Sequence, residues 1–171
     1  MRDFQPAVTG SVAWARRRAM GVRFQVVIDC AEPEPLARFW AAALGYVLES
    51  PPTGFATWDD YYRDLGLPES FLGHGTDCIV DPTGNGPRFW FQMVPDVKTV
   101  KNRLHLDVHV SGGRAVPLAI RRERVYAEAT RLASLGATIL SELDEKEGEE
   151  EGDGDHAVAM KDPEGNEFDI N

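Results

Sequence analysis

The sequence is poor in cysteine, with only Cys30 and Cys78 among 171 residues. Two thiols are too few for a disulfide framework, and they lack the close spacing of a metal knuckle, so a reducing, cytoplasmic setting is the expectation. No apolar run approaches the roughly 18 residues that a spanning helix needs, which argues against a membrane segment. Positive charge is scarce as well: 18 Lys and Arg stand against 28 Asp and Glu, for a formal net charge of −10. No stretch gathers basic and aromatic residues into a phosphate-binding face, so nucleic acid is not an expected partner. Arg16, Arg17 and Arg18 follow Val12, Ala13 and Trp14 and precede no apolar segment, so a secretory leader is not expected here. Residues 1–22 read as a poorly ordered extension in which Met20 offers an alternative start.

What remains is ordinary globular material. Hydrophobic residues make up 43% and charged residues 27%, near the averages of folded domains. The length allows one domain or two small, intimately packed halves.

The chain repeats itself in its turns. Asp81-Pro82-Thr83-Gly84-Asn85 recurs 81 positions later as Asp162-Pro163-Glu164-Gly165-Asn166. Pro presets φ in such a turn, and Gly and Asn accept positive φ. Each copy precedes a strand-like stretch, Arg88-Phe89-Trp90-Phe91-Gln92 and Glu167-Phe168-Asp169-Ile170. Upstream, Leu44-Gly45-Tyr46-Val47 matches Leu135-Gly136-Ala137-Thr138, each a glycine helix stop followed by an extended segment.

Hydrophobic periodicity fills in the rest. A helix is predicted over Pro33–Leu44, with Leu36, Phe39, Trp40, Ala43 and Leu44 on one face and prolines in the tolerated first turn. A second is predicted over residues 121–135, with Val125, Ala129, Leu132 and Leu135 inward. Alternating strands are predicted over residues 23–30 and 103–110. Phe24, Val26 and Ile28 lie on one side of the first, with Gln25, Val27 and Asp29 opposite; Leu104, Leu106, Val108 and Val110 oppose His105, Asp107 and His109 in the second. The expected fold class is α+β, with two tandem β-α-β-β-β modules whose curved mixed sheets form a cleft. The expected boundaries are 23–94 for the first module, 95–102 for the linker and 103–171 for the second, with an acidic loop at 142–155.

Those runs, above all Phe24 to Asp29, Phe39-Trp40, Leu44-Gly45, Lys98 to Asp107, Leu135 to Thr138 and Asp162 to Phe168, resemble the glyoxalase-like branch of the vicinal oxygen chelate (glyoxalase/bleomycin-resistance/dioxygenase) superfamily. The resemblance covers residues 23–171 and speaks to fold more than to reaction. It implies a metal-dependent lyase, isomerase or dioxygenase acting on a small oxygenated substrate. The alternative is a metal-free, bleomycin-resistance-like protein that binds a drug or metabolite. It also implies a homodimer.

Carried over by position, the metal ligands of such relatives fall on Gln25, His105 and Asp169, with a fourth near Trp90 or Gln92. The ion would be Zn, Ni, Mn or Fe, or none at all: a Gln carbonyl is a weak neutral donor, and Asp169 stands where relatives place the longer Glu. Asp169 is also the only candidate for a metal-site catalytic base. Candidate substrate contacts are Trp58, Tyr62, Trp90, Gln92, Lys101 and Arg103. Trp58, Tyr61 and Tyr62 suit either an aromatic lid or a helical turn packed on the sheet. Lys98, Lys101 and Arg103 form a basic patch that either meets an anionic substrate or pairs with Asp107 or Glu167. His109 and His156 read as surface or strand-edge residues, and His74 as a loop residue without partners. The acidic loop lacks the ligand spacing of a calcium site and reads as a solvated hairpin connection.

Overall fold

The computed structural model describes residues 22–73, 75–144 and 156–171. The expectations for residues 1–21, for His74 and for most of the acidic loop lie outside the described residues. Elements run β1 (Gln25–Cys30), α1 (Pro33–Leu44), β2 (Val47–Leu48), α2 (Trp58–Asp64), a 3-10 turn (Glu69–Phe71), β3 (Cys78–Val80), β4 (Arg88–Met93), β5 (Asp107–Val108), α3 (Leu118–Ser134), β6 (Thr138–Asp144), β7 (His156–Lys161) and β8 (Glu167–Ile170). They form two four-stranded sheets, ordered β1-β4-β3-β2 and β5-β8-β7-β6. In each, the first strand of the module lies parallel to the last and the other pairings are antiparallel. The architecture is therefore the tandem β-α-β-β-β arrangement that the repeat predicts.

Helix α1 keeps the predicted bounds because its ends are chemically marked. Pro33 opens it where a missing N–H costs nothing, and Gly45, at φ 67°, stops it in the left-handed region. Leu36, Ala37, Phe39, Trp40 and Ala43 are buried. Helix α3 starts three residues earlier than predicted, since the Pro117 carbonyl already accepts from Ile120 and Arg121. Val125, Ala129 and Leu132 are buried as expected, but Leu135, just past the helix end, is 44% exposed.

One apolar core serves both modules. Trp40 and Phe39 of α1 meet Phe168 of β8 edge-on, with centroids 5.1 and 6.1 Å apart. Polar contacts reinforce the junction: Arg131 of α3 donates to the Ala42 carbonyl of α1 at 3.1 Å. Both copies of the repeated turn place Asp as an acceptor of downstream backbone N–H groups, with positive φ on Gly84 and Gly165 and none on either Asn.

Two strands are shorter than predicted. Phe24 is 70% exposed and β1 begins at Gln25. The predicted strand over 103–110 contracts to Asp107–Val108, with Leu104 87% exposed. Its sheet gives β5 one neighbour only, β8, so the residues before it have no ladder to join beyond the bond from Asp169 N–H to the Leu106 carbonyl. His156 is the clearest correction. It is buried on the side of β7 that carries Val158 and Met160, and its ring lies 4.8 Å from that of Tyr126 on α3.

Candidate metal and ligand site

Strand alternation decides which side chains share a face. Along β5 and the residue pair before it, His105, Asp107 and His109 are exposed while Val108 is buried. Asp107 lies opposite Asp169 in the parallel β5–β8 register. The ladder therefore sets two carboxylates side by side, and His105, two residues before Asp107, shares their face. His105 Nε2 is 3.4 Å from Asp107 Oδ1 and 3.5 Å from Asp169 Oδ2. One donor atom from each of the three residues falls within 4.8 Å of the others.

The donor set fits a divalent ion. Ligand atoms about 2.1 Å from a four-coordinate metal stand roughly 3.4 Å from one another. One imidazole with two carboxylates suits Zn, Mn or Fe, and a deprotonated carboxylate is a far stronger donor than an amide carbonyl. His105 and Asp169, the two strong donors expected from the sequence, are thus brought together. Asp107 is the residue that reasoning assigned elsewhere, as a partner for the basic patch. Its signal was present in the His-x-Asp alternation, which puts both side chains on one face.

Gln25 is held differently. Its carbonyl oxygen accepts from Arg88 Nη1 at 2.8 Å. Arg88 stands directly across the β1–β4 ladder, just as Asp169 stands across from Asp107 in the second module. The repeat thus places a guanidinium in one module where the other has a carboxylate. That guanidinium is pinned to Glu49, with Nε 3.0 Å from both carboxylate oxygens and Nη2 2.6 Å from one, and this contact raises its pKa.

Two cavities flank these groups. One, of about 630 Å³, lies on the first sheet and is lined by Gln25, Trp58, Tyr62, Trp90 and Gln92 together with Asp77, Cys78 and Arg88. Trp58 and Tyr62 reach it from α2, whose first turn is fixed by a reciprocal Thr57–Asp60 capping box. The aromatic segment is thus a helix whose Trp58 and Tyr62 line the cavity. The other, of about 440 Å³, lies between Val26, Val27, Ile28 and Asp29 of β1 and the segment carrying Asn102, Leu104, His105 and Leu106.

Lys101 and Arg103 are exposed and line neither of these cavities. Lys98 pairs with Glu167 at 3.0 Å, and the Asn102 N–H donates to the same carboxylate oxygen, which fixes the crossover between modules. His109 is exposed, hydrogen-bonded through Nδ1 to Asn171 at the strand end.

The model of the glyoxalase-like domain matches residues 25–171, which spans both modules and every residue of this site. The chain belongs to the glyoxalase-like domain family. This places it in the glyoxalase/bleomycin-resistance/dioxygenase, or vicinal oxygen chelate, superfamily. Among solved structures, a hypothetical protein from S. aureus is similar at 12% identity and TM-score 0.53, covering 91% of this chain and 96% of its own. A glyoxalase/bleomycin resistance protein/dioxygenase family enzyme from Burkholderia phytofirmans is similar at 14% identity and TM-score 0.50, covering 86% and 94%. At such identities the likeness establishes the fold of this glyoxalase-like chain and nothing about its substrate. No curated protein matches the sequence significantly. No helix among the described residues is long and apolar enough to cross a membrane.

Proposed function

We propose that this glyoxalase-like chain is a divalent-metal-dependent enzyme acting on a small oxygenated molecule, with His105, Asp107 and Asp169 as the protein ligands. The convergence of those three donor atoms within 4.8 Å carries the reading. A bound ion would supply Lewis-acid stabilisation of negative charge developing on vicinal substrate oxygens. The chain's own part is positioning and proton transfer. Asp107 and Asp169 sit on paired strands with little freedom to move apart, so one carboxylate can hold a ligand position while Asp169 takes a substrate proton. The 440 Å³ cavity beside His105 has the dimensions of a small-molecule site, and Val27 and Leu104 give it apolar walls. Proton abstraction next to polarised oxygens is lyase or isomerase chemistry.

A second reading, a metal-free drug- or metabolite-binding protein, draws on Gln25. Its carbonyl oxygen is bound to Arg88, so the ligand expected of the first module is already engaged. Elemental analysis of untagged protein separates the two, run beside His105→Ala and Asp107→Asn. Near-stoichiometric transition metal that is lost in both variants supports the enzyme. No metal, and none taken up on addition of Zn, Mn or Fe, overturns it and leaves the binding protein.

A further inference from the structure

The first-module cavity has a chemistry of its own. Its walls are aromatic: Trp58 and Tyr62 come from α2, with ring centroids 5.8 Å apart, and Trp90 comes from β4. Among the described residues Arg88 is the only cation on its lining, and Glu49 already neutralises it through three contacts of 2.6–3.0 Å. Arg88 also donates to Gln25 and contacts the Cys78 sulfur at 2.8 Å, which leaves a single guanidinium N–H uncommitted. Asp77 is the carboxylate on the lining itself. Its oxygens accept from Trp90 Nε1 at 2.9 Å and from the Cys78 thiol at 3.2 Å, both uncharged donors.

Glu49 pairs Arg88 from outside the lining, so the lining presents the Asp77 carboxylate beside aromatic side chains while its cation is already engaged. Burial is the main cause that raises the Tyr62 hydroxyl; Asp77 adds to the rise and Arg88 opposes it. An entering anion would have to displace Glu49 from Arg88 and face Asp77 as well. An entering cation finds the Trp58, Trp90 and Tyr62 side chains on the lining, with the Asp77 carboxylate at hand.

We propose that this cavity is a binding site for an organic cation carrying a flat apolar body, such as an amidinium or alkylammonium compound. At about 630 Å³ it holds a body larger than a single ring. The proposal rests on the small-molecule part of the reading above and does not require the metal.

Benzamidine, benzamide and benzoate are nearly isosteric and differ in charge, so calorimetric titration of all three tests the assignment. The protein is first stripped with EDTA, so that failure of the metal reading leaves the result untouched. Benzamidine is expected to bind at least tenfold more tightly than benzamide, with benzoate undetectable. Asp77→Asn keeps the shape and the indole bond, and should bring benzamidine to within about threefold of benzamide. Tyr62→Leu should weaken benzamidine by a similar factor, and Glu123→Gln on the exposed face of α3 should not change it. Equal binding of the three probes, preference for benzoate, no binding of any, or benzamidine binding that survives Asp77→Asn with folding intact would overturn the proposal.

Discussion

The indole of Trp40 donates to Asp162 Oδ2 at 3.1 Å, joining the helix of the first module to the turn that closes the second across 122 residues of sequence. Asp162 is buried, and its other contacts come from the backbone N–H groups of Glu164 and Asn166 and the Asn166 side-chain amide. Burial raises its pKa, and these hydrogen bonds offset part of the rise.

Trp40→Phe keeps most of the ring packing on Phe168 and removes one donor from a buried carboxylate. Loss of such a partner costs about 1–3 kcal/mol. Because the folded-state pKa of Asp162 is raised, its ionisation works against folding: the stability it contributes is present below its ordinary value of 3.8 and is lost as pH rises through the folded pKa. The destabilisation by Trp40→Phe should therefore be larger at pH 7 than near pH 3. Urea unfolding of both proteins at the two pH values checks it, and an equal difference at both would show that the indole bond is not to an ionised group.

The same turn reaches α1 a second time. Glu164 accepts from the N–H groups of Ala31 and Glu32, each at 2.7 Å. Pro33 and Pro35 remove two first-turn donors, and Glu32, the N-cap residue, makes no side-chain cap, so the cap arrives from the other module. Thr83, the first-module counterpart of Glu164, bonds Asp81 inside its own turn instead. Glu164→Ala should cost about 0.5–2 kcal/mol and speed hydrogen exchange at Ala31 and Glu32. Unchanged exchange there would show that the cap is not formed in solution.

These contacts explain why some features were legible in the sequence and others were not. Helix α1 could be read to the residue because Pro33 and Gly45 carry local signals. The two-module fold was legible in the Asp-Pro-x-Gly-Asn repeat. What escaped depends on residues far apart in the chain. Gln25 looked like a ligand until Arg88, 63 positions on, claimed its carbonyl. His156 read as a strand-edge residue because nothing near it in sequence shows that α3 brings Tyr126 against it. The alternating pattern of residues 103–110 is strand-like, yet most of it has no partner strand.

Glu167 ties the linker to the second sheet, and its pKa is held down to about 2, first by the Asn102 N–H and then by Lys98. A depressed carboxylate contributes stability that is present above its ordinary value of 4.5 and is lost as pH falls toward about 2. Glu167→Gln should lower stability at pH 7 by roughly 1–3 kcal/mol and flatten the loss between pH 4.5 and 2. Chemical denaturation across that range is the measurement; parallel profiles for the two proteins would mean that the ion pair does not form in solution.

The two thiols should be inert in the folded protein. Both are free and buried. Burial is the main cause that pushes Cys30 up to about 12, and it drives Cys78 higher still, with the Asp77 hydrogen bond and charge adding to the rise and Arg88 opposing it. Only thiolate is nucleophilic, so at pH 8 the reactive fraction of Cys30 is on the order of one part in ten thousand. Arg88 lies 2.8 Å from the Cys78 sulfur, a contact that elsewhere activates a thiol, but here Glu49 and Asp77 offset the guanidinium. A disulfide reagent such as Ellman's should therefore release almost no chromophore from native protein over minutes, and two equivalents in guanidinium chloride. Rapid release of one equivalent from the native state, abolished by Cys78→Ser, would show that Arg88 is freer than its contacts indicate. It would also weaken the case for a cavity that prefers cations.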